Sequence, residues 1–236
     1  MKKKVFLQEL GKKSYKEVWD YQEMLLQENV RIKSLVNSEP LTEGGDQSTT
    51  NYLLFVEHSP VYTLGRNGNA MNVLLNEEER IKKGIEYFHI NRGGDITFHG
   101  PGQLVGYPVL DLQHFNTDLG WYLRSLEEVI IRTIAEYGLK GERSKGETGV
   151  WIEPDVKGSE RKICAMGIRC SRWITMHGFA FNINTDLDYF NYIVPCGIQG
   201  KQVTSLQKEL GQSISMEEIR NKVRFNFEKV FDAELI

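Results

Sequence analysis

Three segments of this chain combine glycines with side chains that could do chemistry. The longest runs from Arg92 to Gln103 and holds four glycines and one proline among arginine, threonine and histidine. Glycine admits positive φ and lets a ligand approach the backbone closely, so the segment favours a binding loop. A hairpin with a glycine bulge is equally compatible with the spacing. Neither GxxxxGK[ST] nor GxGxxG is present, so no nucleotide phosphate loop is predicted.

The second and third segments contain a thiol and an amine. Cys196 lies between Pro195 and Gly197, and Lys162 opens an otherwise apolar run. A thiol with its ordinary pKa of ~8.5 is mostly protonated at pH 7, so a nucleophilic cysteine needs a nearby cation or base. Lys162 is the candidate partner. The alternatives are a turn cysteine and a strand-end lysine that reaches water beside Arg161.

The other cysteines and the histidines carry weaker signals. Cys164 and Cys170 lie in an apolar stretch and are predicted to pack as small hydrophobic residues. His99 is compatible with a general base, an orienting group or a packed polar residue. His177 begins a predicted strand. The remaining histidines have no metal-ligand spacing with one another or with a cysteine, so no metal is expected.

Composition excludes several classes of protein. Lys and Arg number 29 against 32 Asp and Glu, a net charge of −3, which lacks the basic excess of a nucleic-acid binder. No apolar run approaches the ~20 residues of a membrane span. Three cysteines, none in a CxxC, fit a reducing compartment. Together, these features lead us to expect a soluble cytoplasmic protein that binds neither nucleic acid nor membrane. A hydrophobic content of 40% is enough for a core.

The elements that must position these groups predict an α+β fold with a mixed β-sheet packed with helices. Apolar or alternating runs predict strands at 4–10, 52–56, 61–64, 87–90, 96–98, 104–110, 150–152, 162–168 and 177–184. Helical spacing predicts helices from Ser14 to about residue 37, from 119 to 137 before Gly138, and from Ser215 to about residue 230. We expect one domain over 1–236, with a mobile surface loop at 38–50.

The motifs together resemble those of one enzyme family. RGGxxTxHGPGQ at 92–103, KxxAxG at 162–167 and PCGI at 195–198 closely resemble the octanoyltransferases that begin protein lipoylation, the lipoyl(octanoyl) transferases. TLGR at 63–66, GVW at 149–151, HGFAFN at 177–182 and VTSL at 203–206 are also similar to that family. The resemblance implies the biotin/lipoate protein ligase-like fold.

The resemblance also implies roles for individual residues. Cys196 matches the nucleophile that forms an acyl thioester, and Lys162 matches the lysine that lowers the pKa of that thiol. Three further segments match those that line the acyl and thioester site: Arg92, Gly93, Gly94, Asp95, Ile96, Thr97, Phe98 and His99; Ala165, Met166 and Gly167; Gly178, Phe179 and Ala180. The loop at 38–50 and Asp95 depart from the family pattern, but neither removes a matched catalytic residue.

The reaction implied by the resemblance is ping-pong acyl transfer. The family moves an octanoyl group from octanoyl-acyl carrier protein to a lysine on lipoyl domains of 2-oxoacid dehydrogenases and on the glycine cleavage H protein. A thioester is already activated, so no ATP, metal or other cofactor is expected, and the protein is expected to be a monomer.

Two other functions remain compatible with the sequence. An ATP-dependent lipoate or biotin protein ligase of the same fold would need no cysteine nucleophile, and the Gly-rich segment lacks the GRGRxGR pattern of biotin ligases. A non-catalytic acyl-binding protein of the same fold would bind octanoate without turnover. Fold alone cannot separate the three.

Overall fold

The structure is a computed structural model that describes residues 2–38, 48–194 and 202–236. Its strands are β1 (Lys3–Lys13), β2 (Tyr52–His58), β3 (Val61–Leu64), β4 (Glu86–His89), β5 (Ile96–His99), β6 (Gln103–Val109), β7 (Val150–Ile152), β8 (Arg161–Ser171), β9 (Ile174–Asn182), β10 (Gln202–Val203) and β11 (Ala233–Leu235). Its helices are α1 (Tyr15–Ser38), α2 (Glu77–Lys82), α3 (Leu119–Ala135), α4 (Leu206–Leu210) and α5 (Met216–Phe231).

A large mixed sheet forms the centre of the described part of the chain. Its strand order is β10-β8-β9-β6-β2-β1-β11, and β7 pairs with the outer part of β8. The pairs β2–β6, β6–β9 and β8–β9 are antiparallel, whereas β1 runs parallel to both β2 and β11. The predicted α+β class with a mixed sheet is confirmed.

Both faces of this sheet are covered because its central strands are apolar on both sides. Along β2, Leu53 and Phe55 enter the core beneath α3 and α5, whereas Leu54 and Val56 enter the core beneath α1. Alternation along a strand sends successive side chains to opposite faces, so one continuous apolar run serves two cores.

The helices begin where the sequence supplies capping side chains. Ser14 accepts a hydrogen bond from the backbone N–H of Glu17 ahead of α1, and Ser215 accepts one from Glu218 ahead of α5. Asp118 caps α3. These side chains satisfy backbone donors that the first turn leaves unpaired. No helix in the described ranges is long and apolar enough to cross a membrane.

A second, three-stranded sheet of order β4-β3-β5 lies beside the first. Strand β5 pairs with β3, whereas β6, which follows it after a short turn, pairs with β2 and β9. The segment 92–103 therefore passes from one sheet to the other. The hairpin alternative for this segment is wrong, because its two strands never pair.

The strand and helix predictions differ from the structure mainly at their ends. Strand β1 continues to Lys13, and β8 continues to Ser171 into a tight turn. Patterning missed α2, α4, β10 and β11, all of which are too short to show a clear period. Of the predicted loop at 38–50, residues 39–47 lie outside the described residues. Thr50 is hydrogen-bonded to Asn29, and Thr49 to Asp111.

Candidate active site

A cavity of about 490 Å³ opens where the two sheets meet. This volume is in the range of small-molecule sites. The residues that line the cavity are Tyr15, Asn67, Arg92, Gly93, Gly94, Asp95, Ile96, Thr97, His99, Gln103, Tyr107, Leu123, Glu147, Thr148, Lys162, Ala165, Met166, Gly167, Ile168, His177, Gly178, Phe179, Ala180, Asn182, Phe190 and Val203.

The floor of the cavity is made of small residues on two neighbouring strands. Ala165 of β8 is paired with Ala180 of β9, and Gly167 with Gly178. A Cβ atom at Gly167 would lie 2.8 Å from the Gly93 carbonyl oxygen and 3.0 Å from Arg92 Cδ. The small residues therefore form a shallow trough, and at Gly167 the Gly-rich loop lies directly over it.

The loop at 92–95 is fixed to this floor. The Gly93 N–H donates to the Ile168 carbonyl at 2.9 Å. The Arg92 guanidinium is buried, and it donates to the Thr63 carbonyl at 2.7 Å, to Thr63 Oγ1 at 3.0 Å and to the Gly93 carbonyl at 2.9 Å. Asp95 accepts from the backbone N–H groups of Asn69 and Ile96 and holds the preceding loop in place.

A chain of buried hydrogen bonds runs from Arg92 to β10. The Asn182 amide donates to the Thr204 carbonyl at 3.0 Å, and its oxygen accepts from the Gln103 amide at 2.9 Å. The Gln103 oxygen lies 2.9 Å from His99 Nδ1, and His99 Nε2 lies 3.3 Å from Thr63 Oγ1.

The hydrogen bonds of this series can be donated in only one direction. Because the Gln103 amide nitrogen already donates to Phe98 and Asn182, its oxygen must accept, and His99 Nδ1 carries the proton. His99 Nε2 then accepts from the Thr63 hydroxyl, which accepts from Arg92. Of the three roles open for His99, the geometry therefore favours an orienting group over a general base.

His58 and Tyr107 form a second buried pair behind the cavity. His58 Nδ1 lies 3.0 Å from the Lys13 carbonyl, which can only accept, and Nε2 lies 2.8 Å from the Tyr107 hydroxyl. Burial lowers the pKa of His58 to about 4, and it lowers the pKa of His99 well below the ordinary value, helped by His58 and Arg92. Both imidazoles are thus neutral near pH 7.

Lys162 stands at the other end of the floor, next to β10. Its Nζ lies 4.5 Å from the centre of the Trp151 ring and 3.8 Å from Glu147 Oε2. The backbone of Lys162 pairs with Val203 of β10 and accepts from the Thr204 N–H. The amine is therefore held at a defined position in the cavity wall. The alternative prediction, a lysine at the strand end that reaches water, does not describe Lys162, because it is Arg161 that turns towards Glu153 and Glu209.

A buried carboxylate supports the wall beside Lys162. Glu127 of α3 is fully buried and accepts from Arg124, from Arg143 and from the backbone N–H of Gly149. Gly149 has φ of +120°, and a Cβ there would lie 2.5 Å from the Cys164 carbonyl oxygen. Glu127 thus fixes the loop that presents Thr148 and Glu147 to the cavity.

The structure brings nearly all predicted binding residues to this one cavity. Phe98 is the exception, because strand alternation turns its ring away to stack on Tyr189 at a centroid distance of 4.6 Å. Phe98 therefore does not line this cavity. Cys196 belongs to the segment 195–201, which lies outside the described residues, so its predicted role stays a prediction.

The remaining cysteines have surroundings unlike those of a nucleophile. Cys164 is fully buried in the core, and Cys170 is partly buried. Burial raises the pKa of both thiols, which agrees with the predicted packing role. Among the residues that the structure describes, no three His, Cys, Asp or Glu side chains are placed to hold a metal ion.

Several lining residues were not predicted. Tyr15 and Tyr107 come from α1 and β6, and Glu147 comes from the loop before β7. Their sequence neighbourhoods carry no ligand-binding pattern, and only the strand order brings them together. Gln103 and Asn182 are the last residues of two motifs described above, at 92–103 and 177–182. The presence of these two amides was the one sequence signal for the buried hydrogen bond between them.

The fold is that of lipoate-protein ligase catalytic domains. It superposes with a TM-score of 0.68 on a lipoate-protein ligase A bound with ATP, at 16% identity over 100% of this chain and 88% of that chain. It superposes with a TM-score of 0.67 on Ta0514, a protein from T. acidophilum described as a putative lipoate protein ligase, at 16% identity over the same shares of the two chains.

Sequence comparison specifies the family within that fold. Residues 14–228 match the lipoyl protein ligase A/B catalytic domain, and the chain belongs to this family. Proteins named octanoyltransferase from Christiangramia forsetii and Flavobacterium johnsoniae are 56% and 54% identical to it. The matches cover 100% of this chain in both cases, with 99% and 100% of the relatives. The predicted family is confirmed.

The hydrogen-bond chain predicts unequal effects for two neighbouring threonines. Thr63→Val leaves His99 Nε2 without its donor and removes one acceptor of Arg92, so we expect a loss of ~1–3 kcal/mol in the free energy of unfolding. Thr63→Ser should recover most of it. The control is Thr97→Val, at the cross-strand partner of Thr63, with a change under ~0.5 kcal/mol. Equal losses in urea unfolding for both valine variants would contradict the assignment.

The neutral buried histidines predict a pH dependence of stability. The folded pKa of His58 lies near 4 and the unfolded value near ~6.5, so below pH ~6.5 the unfolded chain binds a proton that the native state refuses. Stability should fall as the pH drops from 6.5 towards 4, by up to ~1.4 kcal/mol per pH unit for this histidine.

Urea unfolding at pH 7, 6 and 5 measures that slope. His58→Gln should reduce the slope between pH 6 and 5 by about 1 kcal/mol per unit. His89→Gln, at an exposed position on β4, should leave it unchanged. An unaltered slope in His58→Gln would show that the buried imidazole is not the group that titrates.

Proposed function

We propose that this chain transfers an octanoyl group from octanoyl-acyl carrier protein to a lysine of a lipoyl domain, through a thioester on Cys196. The observation that carries the proposal is the cavity itself, a trough floored by small residues that ends at a fixed lysine. The name octanoyltransferase, shared by full-length relatives at 54–56% identity, supports the acyltransferase activity that the motifs predict.

The trough suits an unbranched acyl chain. Ala165 and Ala180 place no side chain larger than a methyl at their cross-strand pair, and Met166 and Phe179 add apolar residues to the cavity lining. Each buried CH₂ contributes ~0.8 kcal/mol, so an eight-carbon chain gains enough to be held without a polar handle at its tail.

The first half-reaction exchanges one thioester for another. The Cys196 thiolate attacks the carbonyl carbon of the donor thioester, the new carbon–sulfur bond forms, and the carrier thiolate leaves with a proton from the Lys162 ammonium, which becomes a neutral amine. An ammonium beside a thiol favours the thiolate, and Lys162 supplies that charge in the proposal. Because one thioester replaces another, the step needs no ATP and no metal.

The second half-reaction forms an amide. The amine of the acceptor lysine attacks the Cys196 thioester, the carbon–sulfur bond breaks, and one proton passes from the amine to the departing sulfur. Lys162 lies at the end of the cavity next to β10, which directly follows the segment of Cys196, so its Nζ is proposed to carry that proton. The fixed amine thereby serves both halves of the cycle.

The implied partners follow from this chemistry. The donor is acyl carrier protein, and the acceptors are lipoyl domains of 2-oxoacid dehydrogenases and the glycine cleavage H protein. An ATP-dependent ligase is the main alternative, since a lipoate-protein ligase A bound with ATP shares the fold at 16% identity. Such a ligase would activate free octanoate or lipoate and would exchange pyrophosphate with ATP.

The acyl-enzyme is tested by intact-protein mass. After mixing with octanoyl-acyl carrier protein, the parent chain should gain one octanoyl group that hydroxylamine removes, whereas Cys196→Ser should not. A lipoyl domain added afterwards should return the parent to its starting mass. Transfer to the lipoyl domain without an adduct would replace the covalent step by direct transfer. Pyrophosphate exchange with no transfer would establish the ligase instead.

The role of Lys162 is tested by its pH dependence. Lys162→Met should slow adduct formation at pH 7 at least tenfold and recover towards pH 9, where a thiol with a pKa of ~8.5 ionises without help. Lys157→Met, at an exposed position, is the control and should react like the parent. A rate in Lys162→Met that stays equally depressed at pH 9 would limit Lys162 to the second half-reaction.

A further inference from the structure

His177 is a buried histidine in the cavity whose ring nitrogens have no hydrogen-bond partner in the part of the chain that the structure describes. It is 1% exposed, and neither ring nitrogen is hydrogen-bonded to any residue that the structure describes. Its backbone N–H donates to Gln22 Oε1 at 2.9 Å, and the Gln22 amide nitrogen likewise has no protein partner in the described ranges. His177 lines the same cavity as Lys162.

This arrangement is unusual for a buried polar side chain. An unsatisfied buried donor or acceptor costs ~1–3 kcal/mol, and nearly all such groups in folded proteins are paired. His58 and His99, the other buried histidines of the described chain, use both of their ring nitrogens. His177 also has φ of +58°, a strained conformation for a residue with a side chain. Such features cluster where a ligand supplies the missing contacts.

The surroundings of the ring decide what it can offer. Its nearest ring neighbour is Tyr107, edge-on at 6.4 Å, and Arg92 and Arg169 are the charged groups that act on it. Burial and these cations lower its pKa to about 3. A neutral imidazole presents one donor and one acceptor, which together match a hydroxyl group.

We infer that His177 forms the end wall of the acyl channel and is a hydrogen-bonding subsite for a hydroxyl group. This wall selects against acyl chains that are long enough to bring methylene groups against the His177 ring. The direction of the channel, with the thioester at Lys162, rests on the proposed function. The hydroxyl is that of a water molecule when a short chain is bound, or the terminal hydroxyl of a longer one.

The dimensions of the floor agree with this placement. Ile168, the strand partner of His177, is six residues from Lys162 along β8, which is ~20 Å at ~3.3 Å per residue. An extended eight-carbon chain with its thioester spans roughly 12 Å with bonds of ~1.5 Å. An octanoyl chain therefore covers the small-residue floor and ends before the polar wall.

The test compares plain and ω-hydroxylated acyl chains of eight, ten and twelve carbons on acyl carrier protein. For the parent, kcat/KM should fall from octanoyl to the longer plain chains. At the shortest length that reaches His177, kcat/KM for the ω-hydroxy chain should be about tenfold higher than kcat/KM for the plain chain. The reason is that a site built to bind a hydroxyl rejects the analogue that lacks it.

Variants at His177 separate a hydrogen-bonding role from a packing role. His177→Leu should abolish the hydroxyl preference and raise kcat/KM for the longer plain chains about tenfold relative to octanoyl. His177→Asn keeps a donor and an acceptor and tolerates positive φ, so it should retain part of the preference even if the leucine variant folds poorly. His89→Leu, at an exposed site outside the cavity, should match the parent.

A hydroxy-to-plain ratio near one at every length in the parent, or the same ratio in His177→Leu, would overturn the inference. If the parent transfers no acyl chain at all, the proposed function fails but this site is still tested. Calorimetric binding of 10-hydroxydecanoate against decanoate then decides, since the inference requires tighter binding of the hydroxy acid to the parent and not to His177→Leu. Equal binding of the two acids would overturn it as well.

Discussion

The site depends on a buried chain of hydrogen bonds that can donate in only one direction. The chain begins at the Thr204 carbonyl, passes through two amides and His99, and ends at Arg92. Each member fixes the tautomer or rotamer of the next, so the Gly-rich loop and the backbone at Thr204 are held by the same set of bonds. Polar groups in a core are stabilising only when fully satisfied, and this set achieves that without a charged member other than Arg92.

A second constraint is steric. The loop can approach the sheet because Gly167 has no side chain, and Gly178 lets β9 lie close to the Gly106 carbonyl and Pro108 of β6. Small residue types therefore position both the loop and the neighbouring strand. Of the charged residues that line the cavity, Lys162 lies at one end of the floor and Arg92 lies over Gly167.

Local pattern predicted the class of fold and most strands, and the resemblance to the octanoyltransferases supplied the predicted segments that line the cavity. It failed where position depends on partners distant in sequence. Phe98 lies inside the most specific motif yet belongs to the core of the small sheet, since motif membership does not report which face a strand residue takes. Tyr15 and Tyr107 reach the cavity only through the strand order, and the unpaired ring of His177 is visible only in three dimensions.

The pairing of β1 with β11 has a consequence for biosynthesis. Residues 3–5 find their parallel partners at 233–235, so the sheet edge beside β1 stays open while the ribosome adds almost the whole chain. At ~5–20 residues per second this interval is on the order of tens of seconds. An exposed strand edge is a template for unwanted pairing, and β11 covers this edge only at the end of that interval.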